Sequence, residues 1–211
     1  MSNSEKFWDK TAEKYAASAI RDEETYKKKL EKTQEFLTPD MEVMEFGCGT
    51  GTTAIHHAPH VKSYLATDIS GNMVEIGRKK SEEAGVKNLR FEKATLQSMT
   101  YPPESFDAIL GLNIVHLIKD IDSGLARIHE MLKPGGLFIH STATLSNSKL
   151  WFLKPILPLV TLLGFIPYVK FYRKQQLVKL IEDAGFETLF EWKANNNFIL
   201  FSVTRKKDNT Q

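Results

Sequence analysis

Between residues 41 and 51 a nearly continuous apolar run, Met41–Phe46, breaks into Gly47-Cys48-Gly49-Thr50-Gly51, and few folds use such a junction. A short run without polar alternation predicts a strand covered on both faces. Glycines at alternate positions let the backbone turn sharply and approach a ligand more closely than any Cβ permits. The junction therefore predicts a buried strand, a tight turn and a helix. The turn either faces a ligand or only reverses the chain. Glu45 stands two residues before the first of the glycines.

The rest of the chain continues in alternation. Two amphipathic helices are expected first, one with Phe7, Trp8, Thr11 and Tyr15 on a face, the other with Tyr26, Leu30 and Leu37. After the glycine turn comes a short helix ending near Ala58–Pro59, then a strand over Ser63–Thr67. Ser70 is placed to cap a helix running to Gly85. Strands follow at Leu89–Lys93 and Phe106–Leu112. Leu125, Ile128 and Leu132 mark a helix that stops at Pro134-Gly135-Gly136, and Leu137–Ala143 is the fifth strand. A helix with Leu177, Leu180, Ile181 and Ala184 on one face ends at Gly185. Strands near Thr188–Lys193 and Phe198–Thr204 flank Asn195-Asn196-Asn197, a hairpin turn. Alternating units with short connections imply an α/β domain over residues 1–211, a doubly wound, mainly parallel seven-stranded sheet with a C-terminal antiparallel hairpin. Ligands of such sheets bind beyond the carboxyl ends of the strands, at the switch in strand order.

Composition narrows the function. A chain 42% hydrophobic and 26% charged is ordinary for a globular protein, and a net charge of +2 lacks the basic stripe of a nucleic-acid binder. Lys27-Lys28-Lys29 follows Asp22-Glu23-Glu24 and reads as a solvated, charge-mixed helix face. The single cysteine, Cys48, excludes an intrachain disulfide and a cysteine-cluster zinc site, and His56, His57 and His60 read as a surface helix rather than a metal site. The first residues carry no apolar signal segment, so the cytoplasm is expected. Lys154, Pro155, Pro158 and Pro167 interrupt the apolar stretch 150–172, which leaves too short a run for a spanning helix of about 20 residues.

Counting from Gly47, a dinucleotide fingerprint needs glycine at the sixth position, where Thr52 stands. Glu45 also suits a cationic group such as an α-ammonium better than a diphosphate. Tyr64-Leu65-Ala66-Thr67-Asp68 ends the second strand in an acid able to accept bonds from two adjacent ribose hydroxyls. The alternative for Asp68 is a helix-capping acid.

These residues resemble the Rossmann-like (class I) S-adenosylmethionine (SAM)-dependent methyltransferases, in the branch acting on small molecules, quinones and lipids. Glu45-x-Gly47-x-Gly49-x-Gly51 matches the family's first motif and Asp68 its ribose-binding acid. Phe106-Asp107-Ala108-Ile109 and Leu132-Lys133-Pro134-Gly135-Gly136 are similar to later motifs. The resemblance implies SAM as cofactor and S-adenosylhomocysteine as product, with the glycine loop on the methionyl part. Ile69 and Met73 would flank the adenine or serve as plain core. Asn113 would face the methionyl end, and Tyr15, in an N-terminal helical lid over 1–38, would close over it or simply pack. Thr95 stands where the family commonly places an acid against the adenine amino group, and the Leu96 amide is placed to meet a ring nitrogen.

Methyl transfer needs a base only where the acceptor must lose a proton. His116 is the candidate, weighed against a packed histidine; Tyr101 and His140 are weaker ones. The insert 145–172, with Trp151, Phe152, Leu153, Ile156, Leu157, Leu162, Leu163, Phe165 and Ile166, either packs on the domain, covers an apolar acceptor or, through 150–174, touches a membrane surface with Lys154, Lys170, Arg173 and Lys174. The expected partner is a small-molecule acceptor, with no nucleic acid. The rival readings are a SAM-binding sensor without turnover and a nicotinamide-dependent oxidoreductase.

Overall fold

The computed structural model describes residues 2–20, 22–144, 161, 166–170, 172–193 and 199–208. Most of the insert 145–172, with its named apolar residues other than Ile166, and the Asn195-Asn196-Asn197 turn lie outside them, as does Phe198.

Local chemistry starts the helices where the sequence allows. Helix α1 (Asn3–Ala16) opens on a capping box, Ser2 accepting from the Glu5 amide while Glu5 accepts from that of Ser2. Helix α2 (Glu23–Gln34) is capped by Asp22, α4 (Gly71–Glu83) by Ser70 and α5 (Ile121–Met131) by Asp120. The short α3 (Thr52–His57) leaves the glycine turn directly, and α6 (Lys174–Asp183) precedes the last two strands.

Seven strands form one sheet: β1 (Glu42–Phe46), β2 (Ser63–Asp68), β3 (Leu89–Lys93), β4 (Phe106–Leu112), β5 (Leu132–Ala143), β6 (Phe186–Lys193) and β7 (Ile199–Lys206). Their order is β3-β2-β1-β4-β5-β7-β6. All neighbouring pairs are parallel except those of β7, which runs antiparallel between β5 and β6. Successive residues point to opposite faces. Thus Met44, Ile109 and Phe138 pack with Leu125, Ile128, Leu177 and Ile181 on one side. Val43, Leu110 and Ile139 pack with Ala54, Val74 and Phe201 on the other.

The α5–β5 boundary differs from the sequence expectation. Leu132 is extended (ψ 137) and pairs with Phe106 of β4, so the helix ends at Met131 and β5 begins five residues before Leu137. Pro134 contributes, because the residue before proline is driven out of the helical region. Strand order reverses between β1 and β4, which fixes the crevice beyond their carboxyl ends as the place for a site.

Candidate active site

Strand β1 carries Glu45 into the reversal point, and the turn behind it is glycine of necessity. Gly47, Gly49 and Gly51 all have positive φ (65°, 55° and 74°). A Cβ on Gly47 would stand 2.5 Å from Ile114, and one on Gly51 2.5 Å from the Phe91 ring. At Gly49 the neighbour is instead the Tyr15 ring at 3.5 Å, so bare backbone faces the rim of a cavity.

Asp68 fastens this turn to β2. Its Oδ2 accepts the Gly49 amide and its Oδ1 the Ser70 amide, both at 2.9 Å. Two amide bonds leave lone pairs on both oxygens for a further donor. Burial pushes the Asp68 carboxyl above its ordinary value, against the pull of the two amides. Glu45 is 2% exposed and accepts from the Tyr64 hydroxyl at 2.9 Å. Burial, helped by the charge of Asp68 and opposed by the Tyr64 bond, pushes its carboxyl up to about 7. Two desolvated acids on one floor favour a cationic occupant.

Above them lies a cavity of about 910 Å³. Tyr15, Glu45, Gly47, Gly49 and Asp68 line it, as do Ile69, Met73, Thr95, Leu96 and Asn113. Asn113 adopts a left-handed φ of 59°, its amide donates to the Ser141 carbonyl at 2.9 Å, and its Oδ1 accepts from the Ser141 hydroxyl at 3.0 Å. Thr95 and Ser98 exchange bonds: each hydroxyl accepts the other's amide, at 3.2 and 2.9 Å. Gly51 stands behind the lining, shaping the turn.

His116 is not brought to this cavity. It sits in a 3₁₀ turn (Val115–Leu117), its Nδ1 is buried without a hydrogen bond, and burial pushes it down to about 4. An imidazole so desolvated is a weak proton acceptor at neutral pH. His140, fully buried and stacked on Phe138 at 5.0 Å, is pushed down to about 3. The Tyr101 hydroxyl is engaged by Glu92 and Arg90. Among the described residues no group of His, Cys, Asp and Glu is arranged to hold a metal ion.

The lysine run behaves differently from its reading as a solvated face. Lys28 lies over the Trp192 ring at 4.4 Å, and Lys29 is buried at 5% exposure in the cavity wall. The signal for Lys29 was positional: Tyr26, Lys29, Leu30 and Thr33 share one helix face.

Residues 43–136 match the protein family described as "Methyltransferase domain". The uncharacterized methyltransferase YcgJ of Bacillus subtilis is 32% identical over 97 residues, 46% of this chain and 38% of that protein. Its crystal structure superposes with a TM-score of 0.69 at 16% identity, covering 86% of this chain and 99% of that one. A ubiquinone biosynthesis O-methyltransferase of Chelativorans sp. is 28% identical over 70% of this chain and 59% of its own length. A fatty-acid O-methyltransferase of Mycolicibacterium smegmatis is 30% identical over 48% of this chain and 36% of its own. Residues 43–136 thus match a methyltransferase domain, and the chain shares the fold of solved SAM-dependent methyltransferases, whose cofactor is SAM. The chain spans about 38–60% of the length of the first curated relatives that it matches.

The residues present fit that cofactor. The cavity joins a buried carboxylate, Glu45, for an ammonium to an acid with free lone pairs, Asp68, for a diol. Apolar walls at Ile69, Met73 and Leu96 suit a purine.

Proposed function

We propose that the chain transfers a methyl group from SAM to a small, apolar acceptor. The observation that carries this is the pairing of Glu45 and Asp68 on the floor of an otherwise largely apolar cavity. SAM, when bound, supplies a methyl group already activated by its sulfonium. The chain's own work is then binding, alignment and exclusion of water, which can supply most of the acceleration. Glu45 takes the α-ammonium, Asp68 the ribose hydroxyls, and Ile69 and Met73 the adenine, with the Thr95 hydroxyl and Leu96 amide at its edge. Asn113 faces the methionyl end, and Tyr15 on α1 closes the rim as part of a lid over 1–38.

The acceptor side is apolar by its lining, which includes Leu30, Leu117 and Ile118. The names of the two relatives concerned with ubiquinone and fatty acids support the same class. The insert 145–172, which follows β5, is assigned as the acceptor's cover, with 150–174 as a surface for transient membrane contact. Among the described residues no helix is long and apolar enough to cross a membrane. No histidine lines the cavity among the described residues, so no side-chain base is assigned.

Titration calorimetry with SAM and NAD, followed by S-adenosylhomocysteine release with phenols, quinols and lipid extracts, tests the proposal. SAM binding with turnover on one of these is expected. NAD binding without SAM binding overturns it, and SAM binding without any turnover favours a sensor.

A further inference from the structure

Asn113 leaves β4 in a conformation that L-residues avoid. Among the described residues only Asn113 and Glu104 have positive φ without being glycine, and Glu104 lies in an exposed turn. Asparagine tolerates the left-handed region, but holding one there still costs energy that the surroundings must offset. Here the offset comes from a single residue, Ser141, near the carboxyl end of β5. Its carbonyl and its Oγ both accept the Asn113 amide, at 2.9 and 3.0 Å, and its hydroxyl donates to Asn113 Oδ1 at 3.0 Å.

A serine hydroxyl carries one hydrogen. Given to Oδ1, that hydrogen draws the oxygen towards β5 and leaves both hydrogens of Nδ2 on the other edge of the amide. Asn113 is exposed along the cavity it lines, whereas Ser141 is fully buried. The sheet itself has no use for a hydroxyl at this place, since the register partners of Ser141 are Leu112 and Phe201. Strands on both sides hold it, so its oxygen is a fixed point against which the exposed side chain is set.

We propose that Ser141 is a positioning residue for the methionyl end of the cofactor: it keeps Asn113 left-handed, with Nδ2 turned into the cavity as a donor. This rests on the methyltransferase reading of the cavity. The full chain is titrated calorimetrically with S-adenosylhomocysteine and with methylthioadenosine, which keeps the adenosine and the thioether but lacks the amino-acid end. Ser141→Ala and Asn113→Gly should each weaken S-adenosylhomocysteine by about fivefold, as expected of one hydrogen bond. Methylthioadenosine affinity should stay within about twofold in both. Glycine keeps the left-handed turn, so Asn113→Gly removes only the side chain. The double variant should bind S-adenosylhomocysteine no more weakly than the weaker single one, and Ser141→Thr, which keeps the hydroxyl, should bind it like wild type.

Equal loss of both ligands in Ser141→Ala would make the serine merely structural, and loss of neither would make it idle; either overturns the proposal. So do additive losses in the double variant, which also decides the matter if methylthioadenosine binds too weakly to measure. A wild type that binds neither ligand sinks the cofactor reading instead. The clamp is then judged on the free protein by the side-chain amide signals of Asn113 in nitrogen-15 NMR spectra. A resolved, slowly exchanging pair that collapses to the position of a free asparagine in Ser141→Ala is expected; a pair already there in wild type overturns it.

Discussion

Glu45 sits beside Asp68 with the Tyr64 phenol as its hydrogen-bond donor, and it holds its proton up to about pH 7. Between the ordinary 4.5 and about 7 the folded chain binds more protons here than the unfolded one. The ligand-free protein therefore has this contribution in full below the unfolded value and loses it as pH rises through the folded one. A cationic ligand needs the charged carboxylate, so binding draws the proton off. SAM affinity should accordingly rise between pH 6 and pH 8. Calorimetry on Glu45→Gln should show a flatter profile and binding weaker by about tenfold or more. A wild-type affinity indifferent to pH would take Glu45 away from the ammonium. Glu45 and Asp68 were legible in the sequence because they are tied to a local turn grammar, strand ends beside glycines. Lys29 was misread because its burial depends on distant chain, and the same dependence left His116 open between a base and a packed histidine. Lys29 is enclosed by the packing of α2 on the cavity, and the turn holding His116 is bonded through its carbonyl to the Lys170 amide.

At the scale of elements, α1 is tethered to α4 chiefly through one carboxylate. Asp9 accepts the Ser70 hydroxyl at 2.6 Å and the Asn72 amide at 3.3 Å, and its carbonyl accepts from the Asn72 side chain at 3.0 Å. Glu5 adds an ion pair to Lys93 at 2.7 Å. Asp9→Ala should loosen the helix that carries Tyr15 while sparing the sheet. Stopped-flow displacement should then show SAM leaving several-fold faster, with a stability loss of only about 1–2 kcal/mol. An unchanged off-rate would mean that α1 does not gate the cavity. A different element depends on a missing side chain: a Cβ on Gly111, in β4, would lie 2.3 Å from the Phe46 ring. Gly111→Ala should cost about 1–3 kcal/mol or more in urea titration, lowering the midpoint without changing the slope. The start of α4 was readable from Ser70 because a cap is a short-range event. The end of α5 was not, because Leu132 continues the helical stripe and becomes extended only by pairing with Phe106.

For the whole molecule, the alternation of apolar runs was enough to foresee a mainly parallel sheet and the crevice at its reversal. It did not reveal that β7 would enter between β5 and β6, since nothing local in Ile199–Lys206 names its neighbours. The outer strand β6 is protected in the usual ways. Its pairing shifts between Thr188 and Phe190, and Glu187 and Glu191 are bridged to Arg205 and Lys174. A chain cut before Ile199 should expose the flank of β5 and aggregate, which light scattering after refolding would register; a monomeric product would show that β5 needs no cover. The placing of β7 also has a consequence in time. Leu137 must wait for Arg205, so a ribosome must release the chain through β7 before β5 gains its second neighbour. Until then the nascent protein carries an open seam beside its most apolar strands, and a chaperone has its longest opportunity there.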